Sequence, residues 1–221
     1  MSKEAGSARQ EVLEIVVAEL ERSLEAMESN YRRAVSNLNM LKERVEMDDL
    51  TRLLRRGVFM EKLHNLLFQS APKGREVCLM MIDIDHFKRV NDGYGHQTGD
   101  VVLERVSELI KSYLRPEDLV GRYGGEEIIV AMQMSASEAN SVANRIRRAV
   151  EAHRMISTNH AEFRVTLSVG VASTQEFKYE ADVLISHADK ALYRAKKLGR
   201  NRVVNAKDSL KVMLSLERAA A

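Results

Sequence analysis

Several residue types are scarce in this chain of 221 residues, and each scarcity excludes a class of protein. The one cysteine, Cys78, cannot form an internal disulfide, and its place inside an apolar run indicates a core residue in a reducing cytoplasm. No apolar run approaches the ~20 residues that a membrane-spanning helix requires, so we expect no membrane partner. A net charge of +2 is too small for a dedicated nucleic-acid binder. With 45% hydrophobic and 30% charged residues, the chain is also unlike a wholly disordered one.

Glycine and proline are missing between residues 7 and 56, where apolar residues recur at alternating steps of four and three. That period is typical of a left-handed coiled coil. The alternative is an amphipathic helix that lies on its own domain, but the unbroken pattern favours the coiled coil. Neither the parallel sense nor the number of strands follows from the pattern. We therefore predict a dimerisation helix over residues 1–47 and a homodimer through residues 13–45. The seam consists of Leu13, Val17, Leu20, Leu24, Met27, Tyr31, Ala34, Leu38, Leu41 and Val45.

Helical and strand patterns alternate from Asp48 onward. The order β-α-β-β-α-β with an additional helix–strand pair predicts an α/β, ferredoxin-like sandwich with a central antiparallel sheet over residues 48–206. Polymerase palms and nucleotidyl cyclases share this frame, which does not by itself imply a function. Residues 207–221 are predicted to be a tail. The expected strands are Val77–Ile84, Leu119–Tyr123, Ile128–Met134, Phe163–Ser173 and Arg202–Asn205, and the expected helices surround Phe59–Leu67, begin at Asp100 and at the capping box Ser135-x-x-Glu138, and cover Leu184–Ala195.

The segment Arg122-Tyr-Gly-Gly-Glu-Glu-Ile-Ile-Val130 places two glycines directly before two carboxylates. A hairpin turn uses glycine for its positive φ angles, but it has no need of Glu126 and Glu127. The two carboxylates lie where the backbone is bare and open to close approach. This combination favours a metal-bound phosphate ligand over a purely structural turn.

A further carboxylate, Asp83, lies at the end of the predicted strand Val77–Ile84. A carboxylate in a buried strand is costly unless it is paired or bound to a metal. We expect Glu126 and Glu127 on the neighbouring strand, close enough to share a cation with Asp83. Because few histidines are nearby, the expected cofactor is a hard cation, Mg²⁺ or Mn²⁺, rather than Zn²⁺.

Three glycines occur in Asn91-Asp-Gly-Tyr-Gly-His-Gln-Thr-Gly-Asp100, which we predict to be a loop with Asp100 as the N-cap of the next helix. Taken alone, this pattern is typical of a turn with a helix cap.

Three segments together resemble the signatures of the GGDEF family, the diguanylate cyclases. They are Asp83-Ile-Asp-His-Phe-Lys-Arg-Val-Asn-Asp-Gly-Tyr-Gly-His-Gln-Thr-Gly-Asp100, Gly124-Gly-Glu-Glu-Ile128 and Ala188-Asp-Lys-Ala-Leu-Tyr-Arg-Ala-Lys-Lys-Leu-Gly-Arg-Asn201. They occur in the family's order, and the resemblance runs from Asp48 to about Val204. It implies that two GTP molecules condense to cyclic di-GMP with release of two pyrophosphates.

The resemblance also implies the metal and catalytic residues. Asp83, the backbone carbonyl of Ile84 and a hairpin glutamate are expected to hold the metal. Glu126 matches the position usually assigned as proton acceptor and is also a candidate metal ligand. Glu127 is the other candidate ligand, and the sequence does not apportion the two roles.

The implied GTP contacts come from several segments of the chain. Asn91 and Asp100 match the guanine-binding pair, since a carboxylate accepts from the N1–H and N2–H of guanine. His96 matches a nucleotide contact, with the alternative that it only braces its loop. The triphosphate contacts correspond to Lys196 and Arg200. The basic residues beside them, Lys190, Arg194 and Lys197, are expected to be a solvated helix end. The remaining expected GTP contacts are Phe87, Lys88, Gly124 and Gly125.

A control site is implied by Arg115-Pro-Glu-Asp118, which has the spacing of the family's product-inhibition motif. Arg145 matches a secondary arginine of that site, so cyclic di-GMP is expected as product and inhibitor. A surface salt bridge between Arg115 and Asp118 is the alternative interpretation.

The chain departs from the family at three positions. Ile128 stands where the family has Phe, and Arg52 and Arg55 stand where it prefers Gly and Asn. Both arginines follow the predicted dimerisation helix. We expect them to change the geometry of the turn there more than the chemistry of the site. The rival function is a non-catalytic module that binds cyclic di-GMP or GTP and signals through its coiled coil.

Overall fold

The computed structural model describes residues 19–37 and 46–207 of the chain. Its contacts divide the chain into two units, Met1–Val45 and Glu46–Ala221. Residues 19–37 of the first unit form one helix, α1, which confirms the helical part of the prediction there. No helix of the described residues combines the length and the hydropathy that crossing a membrane would require.

The predicted seam of α1 is exposed: Leu20 by 63%, Leu24 by 58%, Met27 by 66% and Tyr31 by 70%. The dimeric coiled coil itself remains a prediction. The seam positions Leu13, Val17, Leu38, Leu41 and Val45 lie outside the described residues, as does the predicted tail 207–221 beyond Lys207.

The second unit contains eight strands and five further helices among its described residues. The strands are β1 (Leu54–Arg55), β2 (Cys78–Ile84), β3 (Leu119–Arg122), β4 (Glu127–Met132), β5 (Met155–Ile156), β6 (Glu162–Phe163), β7 (Leu167–Ser173) and β8 (Val203–Asn205). The helices are α2 (Arg56–Ser70), followed by a short 3₁₀ turn, α3 (Phe87–Tyr94), α4 (His96–Ser112), α5 (Ala136–Ala152) and α6 (Ala181–Lys197).

Six of the strands form one sheet in the order β1-β3-β4-β2-β7-β8, and β5 and β6 pair separately. The four central strands β3, β4, β2 and β7 are antiparallel to one another, as predicted, whereas the edge strands β1 and β8 pair in parallel with β3 and β7. Every residue of β2 is buried. The predicted α/β, ferredoxin-like fold is therefore confirmed, with a mixed rather than a purely antiparallel sheet.

Helices cover both faces of this sheet. One buried cluster joins residues of β2, such as Met80 and Ile82, to α3, α4 and α5. The other joins the alternate β2 residues Leu79 and Met81 to α2 and α6. The period of two along a strand thus decides which helices each residue of β2 faces.

Two segments differ from the sequence prediction by more than one or two residues. The strand predicted over Phe163–Ser173 is interrupted, because β6 ends at Phe163 and pairs with β5, while β7 begins only at Leu167. The predicted loop Asn91–Asp100 is mostly helical, since α3 ends at Tyr94 and α4 begins at His96. Gly95 alone separates the two helices and has a φ of 85°, which is why glycine suits this position.

The predicted capping box of α5 is confirmed. Ser135 Oγ accepts a hydrogen bond from the Glu138 amide at 3.3 Å, and Glu138 Oε2 accepts one from the Ser135 amide at 3.0 Å. A second carboxylate, that of Glu76, accepts a hydrogen bond from the Ala136 amide at 3.0 Å. The start of α5 is therefore fixed from its own sequence and from the chain before β2.

Candidate active site

Asp83 is the penultimate residue of the central strand β2. It lies at the edge of the sheet where the strands end, and not along an edge strand. It follows Leu79 and Met81 on the face that α6 covers, and only 5% of it is exposed. Lys196 in the last turn of α6 lies with its Nζ 2.7 Å from Asp83 Oδ2. Burial raises the pKa of Asp83 to about 6, with the nearby Glu126 and Glu127 acting in the same direction and Lys196 opposing them.

Glu127 lies directly opposite Asp83 in the antiparallel register of β2 and β4. Directly opposed residues of an antiparallel pair project from the same face of the sheet. Two of the carboxylates predicted to bind a cation are therefore brought together at this edge. Ile84, the residue predicted to contribute a carbonyl, is the last residue of β2.

The turn between β3 and β4 is closed by its backbone. The amides of Tyr123 and Gly124 donate to the Glu127 carbonyl at 2.8 and 3.3 Å. Neither Gly124 nor Gly125 lies in the left-handed region. The expectation that these glycines supply positive φ angles is therefore wrong. A Cβ on Gly124 would stand 2.7 Å from Glu127 Oε2, whereas Gly125 has open space around it. The first glycine makes room for the carboxylate, and the second leaves backbone open to close approach.

Arg122 holds this turn in place, a role that the sequence analysis did not assign. Its Nε and Nη2 donate to the Gly125 carbonyl at 3.2 and 2.9 Å. Its Nη1 donates to Asp48 Oδ1 at 3.0 Å. Although burial alone would raise the pKa of Asp48, hydrogen bonds from Thr51 and Arg122 hold that pKa below its ordinary value. The signal was an arginine two residues before the first glycine, but its partner lies 74 residues away.

The donor set at the sheet edge suits a hard cation. Among the residues the structure describes, no three His, Cys, Asp or Glu side chains are gathered closely enough to form a metal cage. Mg²⁺ is usually held by one or two carboxylates together with substrate phosphates, rather than by a cage of protein ligands. Asp83 and Glu127 at the end of two adjacent strands meet that requirement, so the residues present fit the cation.

The predicted guanine-binding residues Asn91 and Asp100 lie on two consecutive helices, α3 and α4. Asn91 lies in α3, and a Cβ on Gly99 in α4 would overlap its Oδ1 and stand 3.3 Å from the ring of Phe87. Asn91 therefore packs against the backbone of α4 at Gly99, the residue before Asp100. Asp100 was expected to cap α4 but lies within the helix, which begins at His96. The prediction of a cap was wrong because α4 already begins after Gly95, and Gly99 does not interrupt the helix.

The start of α3 places Phe87 and Lys88 in a first helical turn, where backbone amides have no partners within the helix. Such amides and the helix dipole favour an anion. Phe87 is buried and Lys88 is exposed. His96, the first residue of α4, is also exposed.

The C-terminal end of α6 carries the predicted triphosphate contacts. Lys196 reaches Asp83, whereas Arg200 lies beyond the helix end in a left-handed conformation with a φ of 63°. Lys190 and Lys197 are exposed, as expected for a solvated helix end. Arg194 is not, because its Nη1 is buried and has no hydrogen-bond partner among the described residues.

The predicted control site forms a tight turn before β3. The backbone amide of Arg115 donates to Asp118 Oδ2 at 2.8 Å, and the Asp118 amide donates to the Arg115 carbonyl at 3.0 Å. Burial raises the pKa of Asp118. The guanidinium of Arg145 in α5 lies over the ring of Tyr113 at 5.3 Å. This link uses the backbone of Arg115 with the backbone and carboxylate of Asp118, and not the salt bridge of the alternative interpretation.

Comparisons with known proteins agree with this geometry. The family described as "Diguanylate cyclase, GGDEF domain" matches residues 45–202. Diguanylate cyclase A of Treponema denticola is 42% identical over 80% of this chain and 48% of its own length. Probable diguanylate cyclase DgcT of Escherichia coli is 38% identical over 76% of this chain and 37% of its own length. The chain thus spans half or less of these two relatives.

A solved structure of the coiled coil and GGDEF domain of DgcB from Caulobacter crescentus, in complex with c-di-GMP, is similar with a TM-score of 0.75. It is 30% identical, and the similarity covers 84% of this chain and 98% of that one. Because the family match covers well over half of the sequence and includes the sheet edge described above, this chain belongs to the GGDEF, or diguanylate cyclase, family.

Proposed function

We propose that this chain is a diguanylate cyclase, which condenses two GTP molecules into cyclic di-GMP and releases two pyrophosphates. The observation that carries the proposal is the meeting of Asp83, Glu127 and Lys196 at one edge of the sheet. Two carboxylates and a lysine at one edge can serve a cation and phosphate groups together, which is what phosphoryl transfer requires. The names of the relatives support the same activity.

In the proposed reaction, the 3′-oxygen of one GTP attacks the α-phosphorus of the other. The bond from that phosphorus to the oxygen bridging to the β-phosphate breaks, and pyrophosphate leaves. The same step with the roles exchanged closes the ring. Glu126 accepts the proton of the attacking hydroxyl. A Mg²⁺ or Mn²⁺ ion held by Asp83, Glu127 and the Ile84 carbonyl would polarise the α-phosphate and neutralise the leaving group.

The remaining residues bind and orient the nucleotide. Asn91 and Asp100 would bind guanine, and Asp100 favours GTP over ATP because adenine offers an acceptor at N1. The first-turn amides of Phe87 and Lys88 would bind phosphate. Lys196, which pairs with Asp83 in this structure, and Arg200 would contact the triphosphate. His96 and the open backbone of Gly124 and Gly125 would lie against the nucleotide.

The proton-acceptor role is tested by Glu126→Gln, which keeps the shape of the side chain. We expect the rate of cyclic di-GMP formation to fall by at least ~100-fold, the usual contribution of a general base. The matched control is Glu162→Gln, which changes an exposed glutamate of β6 that pairs with Arg154. Equal rates for Glu126→Gln and the wild type would refute the assignment of the base.

We also infer that the active form is a homodimer. Each GTP must present its 3′-hydroxyl to the other's α-phosphate, so two loaded domains must face each other. The exposed seam of α1 (Leu20, Leu24, Met27 and Tyr31) would pair with a second copy and raise the effective concentration of the partner domain. GTP as substrate and one buried thiol fit a cytoplasmic location.

Product inhibition through Arg115 and Asp118, with Arg145, completes the proposal. An arginine fork suits phosphate or the Hoogsteen edge of guanine, and an aspartate accepts from the guanine N–H pair. The similar DgcB domain was solved in complex with c-di-GMP. We expect added cyclic di-GMP to inhibit the wild type but not Arg115→Ala, with Arg105→Ala on α4 as control. Equal inhibition of all three proteins would contradict the assignment.

A further inference from the structure

The turn that carries Arg200 has an unusual backbone. Gly199, Arg200 and Asn201 have φ angles of 109°, 63° and 46°, three left-handed residues in succession. Side chains other than glycine rarely adopt this region, because the Cβ approaches the carbonyl oxygen. Two non-glycine residues in this region persist only where the surrounding structure holds them.

The N-terminal side of this turn is held by the end of α6. The Arg200 amide donates to the Ala195 carbonyl at 3.0 Å, and the Gly199 amide donates to the Lys196 carbonyl at 3.4 Å. This pair of bonds is a Schellman motif, the common helix end that places a glycine in the left-handed region. The motif explains Gly199, but it does not explain why Asn201 keeps the same conformation two residues later.

Asn201 is held by three side chains from two other elements. Its backbone N–H donates to Asp85 Oδ2 at 3.0 Å, and its side-chain Nδ2 donates to Glu151 Oε1 at 2.6 Å. Arg147 Nη1 donates to Asn201 Oδ1 at 2.6 Å and also to Glu151 Oε2 at 2.8 Å. Both polar atoms of the Asn201 amide group therefore have charged partners on α5.

Asp85 ties this arrangement to the strand that carries Asp83. It is only 4% exposed and accepts hydrogen bonds from the hydroxyls of Thr166 and Ser168, each at 2.6 Å, besides the Asn201 amide. Since both of its oxygens are occupied, Asp85 has a different task from Asp83, two residues earlier. It joins the continuation of β2 to the residue that follows Arg200.

We propose that Asn201 and Asp85, with Glu151 and Arg147, are positioning residues that fix the backbone of Arg200 so that its guanidinium meets the β- and γ-phosphates of GTP. This inference rests on the proposed function, in which Arg200 contacts the triphosphate. These four residues are the clamp. The clamp fixes the position of the Arg200 backbone relative to β2, the strand that carries the proposed metal ligand Asp83. If the clamp only stabilised the end of α6, its loss would not distinguish nucleotides with β- and γ-phosphates from those without them.

The test compares nucleotides with and without the β- and γ-phosphates. Calorimetry on the full chain measures binding of a GTP analogue with an α,β-methylene bridge, with Mg²⁺, and binding of GMP. Asn201→Gly removes the side-chain clamp but tolerates the φ of 46°. We expect about a tenfold loss of affinity for the analogue, the weight of one charge-assisted hydrogen bond, and less than about a twofold change for GMP.

A double variant separates positioning from general stability. In an Arg200→Met background, Asn201→Gly should cause no further loss of affinity for the analogue, because the clamp acts through Arg200. If Asn201→Gly does not fold, Glu151→Ala on α5 removes the same support of the Asn201 side chain and takes its place. Equal losses for both nucleotides, or additive losses in the double variant, would overturn the inference. A folded wild type that binds neither nucleotide would instead overturn the proposed function.

Discussion

Arg52 shows at the residue scale how a departure from the family can be explained. It occupies the turn before β1 with a φ of 54°, where its amide donates to the Asp48 carbonyl at 2.9 Å. The family prefers glycine at this position, and the left-handed backbone gives the reason, since only glycine adopts it without strain. The turn keeps its conformation despite the arginine.

Arg52→Gly is therefore expected to raise the free energy of unfolding by about 1 kcal/mol, the strain of one non-glycine residue in this region. Urea unfolding followed by circular dichroism measures the change. The matched control is Arg55→Asn, the second arginine that departs from the family, because Arg55 has an ordinary φ of −62°. Its side chain makes an ion pair with Asp49 and donates to the Met47 carbonyl, so this change should not raise the stability. A less stable Arg52→Gly protein would contradict this explanation.

The buried thiol of Cys78 makes the stability of the fold depend on pH. Burial, reinforced by the charge of Glu76, raises the pKa of its thiol from 9.0 to about 12. Because the pKa is raised in the folded state, the neutral thiol stabilises the fold fully below pH 9.0, and this contribution is lost as the pH rises towards 12.

We expect the free energy of unfolding to fall less steeply over that pH range in Cys78→Ala than in the wild type. Urea titrations at a series of alkaline pH values measure the two slopes. In parallel, iodoacetamide should modify the wild-type thiol only as the protein unfolds. Identical slopes, together with rapid modification of the folded protein, would show that the thiol is not buried as described.

At the scale of elements, the packing of α6 on β7 positions Lys196. A Cβ on Gly170 in β7 would overlap the backbone of Ala188 and Leu192, so α6 must lie very close to the strand. Gly170→Ala is expected to lower the free energy of unfolding by about 3 kcal/mol, because the helix must move away from the sheet. GTP affinity should fall with it, since Lys196 moves with its helix.

The control for this prediction is Gly57→Ala in α2, where a Cβ meets nothing within 4 Å. That change should raise the free energy of unfolding by about 0.5 kcal/mol, because alanine favours helix over glycine. Thermal unfolding of both variants gives the comparison. Similar stabilities for the two variants would show that the contact between α6 and β7 is looser than the structure indicates.

Local signals explain which elements the sequence predicted well. The start of α5 followed from Ser135 and Glu138, which lie three residues apart and act on each other. The contribution of Glu76 to the same helix could not be predicted, because it lies 60 residues from Ala136 and only the folded sheet brings them together. The same holds for Arg122 and Asp48, and for Asn201 and Asp85.

Glycine-rich segments were the weakest part of the sequence prediction for the same reason. Gly93 and Gly99 lie inside helices, where the second is needed for the packing of Asn91 rather than for a turn. Gly124 serves Glu127 in a similar way. A glycine chosen for close approach cannot be told from a glycine chosen for positive φ until its neighbours in space are known.

At the scale of the whole molecule, the seam of α1 makes a prediction about assembly. Leu24→Glu with Met27→Glu should convert the protein to a monomer in sedimentation, because a charge at each of two seam positions cannot be buried in a coiled coil. The specific activity should fall at least tenfold and then rise with protein concentration, since the tether no longer supplies a millimolar effective concentration. Ser23→Glu, exposed and outside the predicted seam, is the control.

The predicted loss of activity must come from lost dimers and not from a damaged domain. Nucleotide binding by the monomeric variant checks this, since each domain should still bind the GTP analogue with wild-type affinity. A monomeric double variant with full specific activity at every concentration would refute the role of α1 in dimerisation and activity.

The central claim is that two copies of the edge formed by Asp83, Glu127 and Lys196 make cyclic di-GMP from GTP. The most direct measurement incubates the purified chain with GTP and Mg²⁺ and quantifies both products. We expect cyclic di-GMP with about two pyrophosphates for each molecule formed, and none of either from a folded Asp83→Asn variant. A folded, dimeric wild type that releases no cyclic di-GMP at micromolar concentration, or an Asp83→Asn variant that matches it, would contradict the claim.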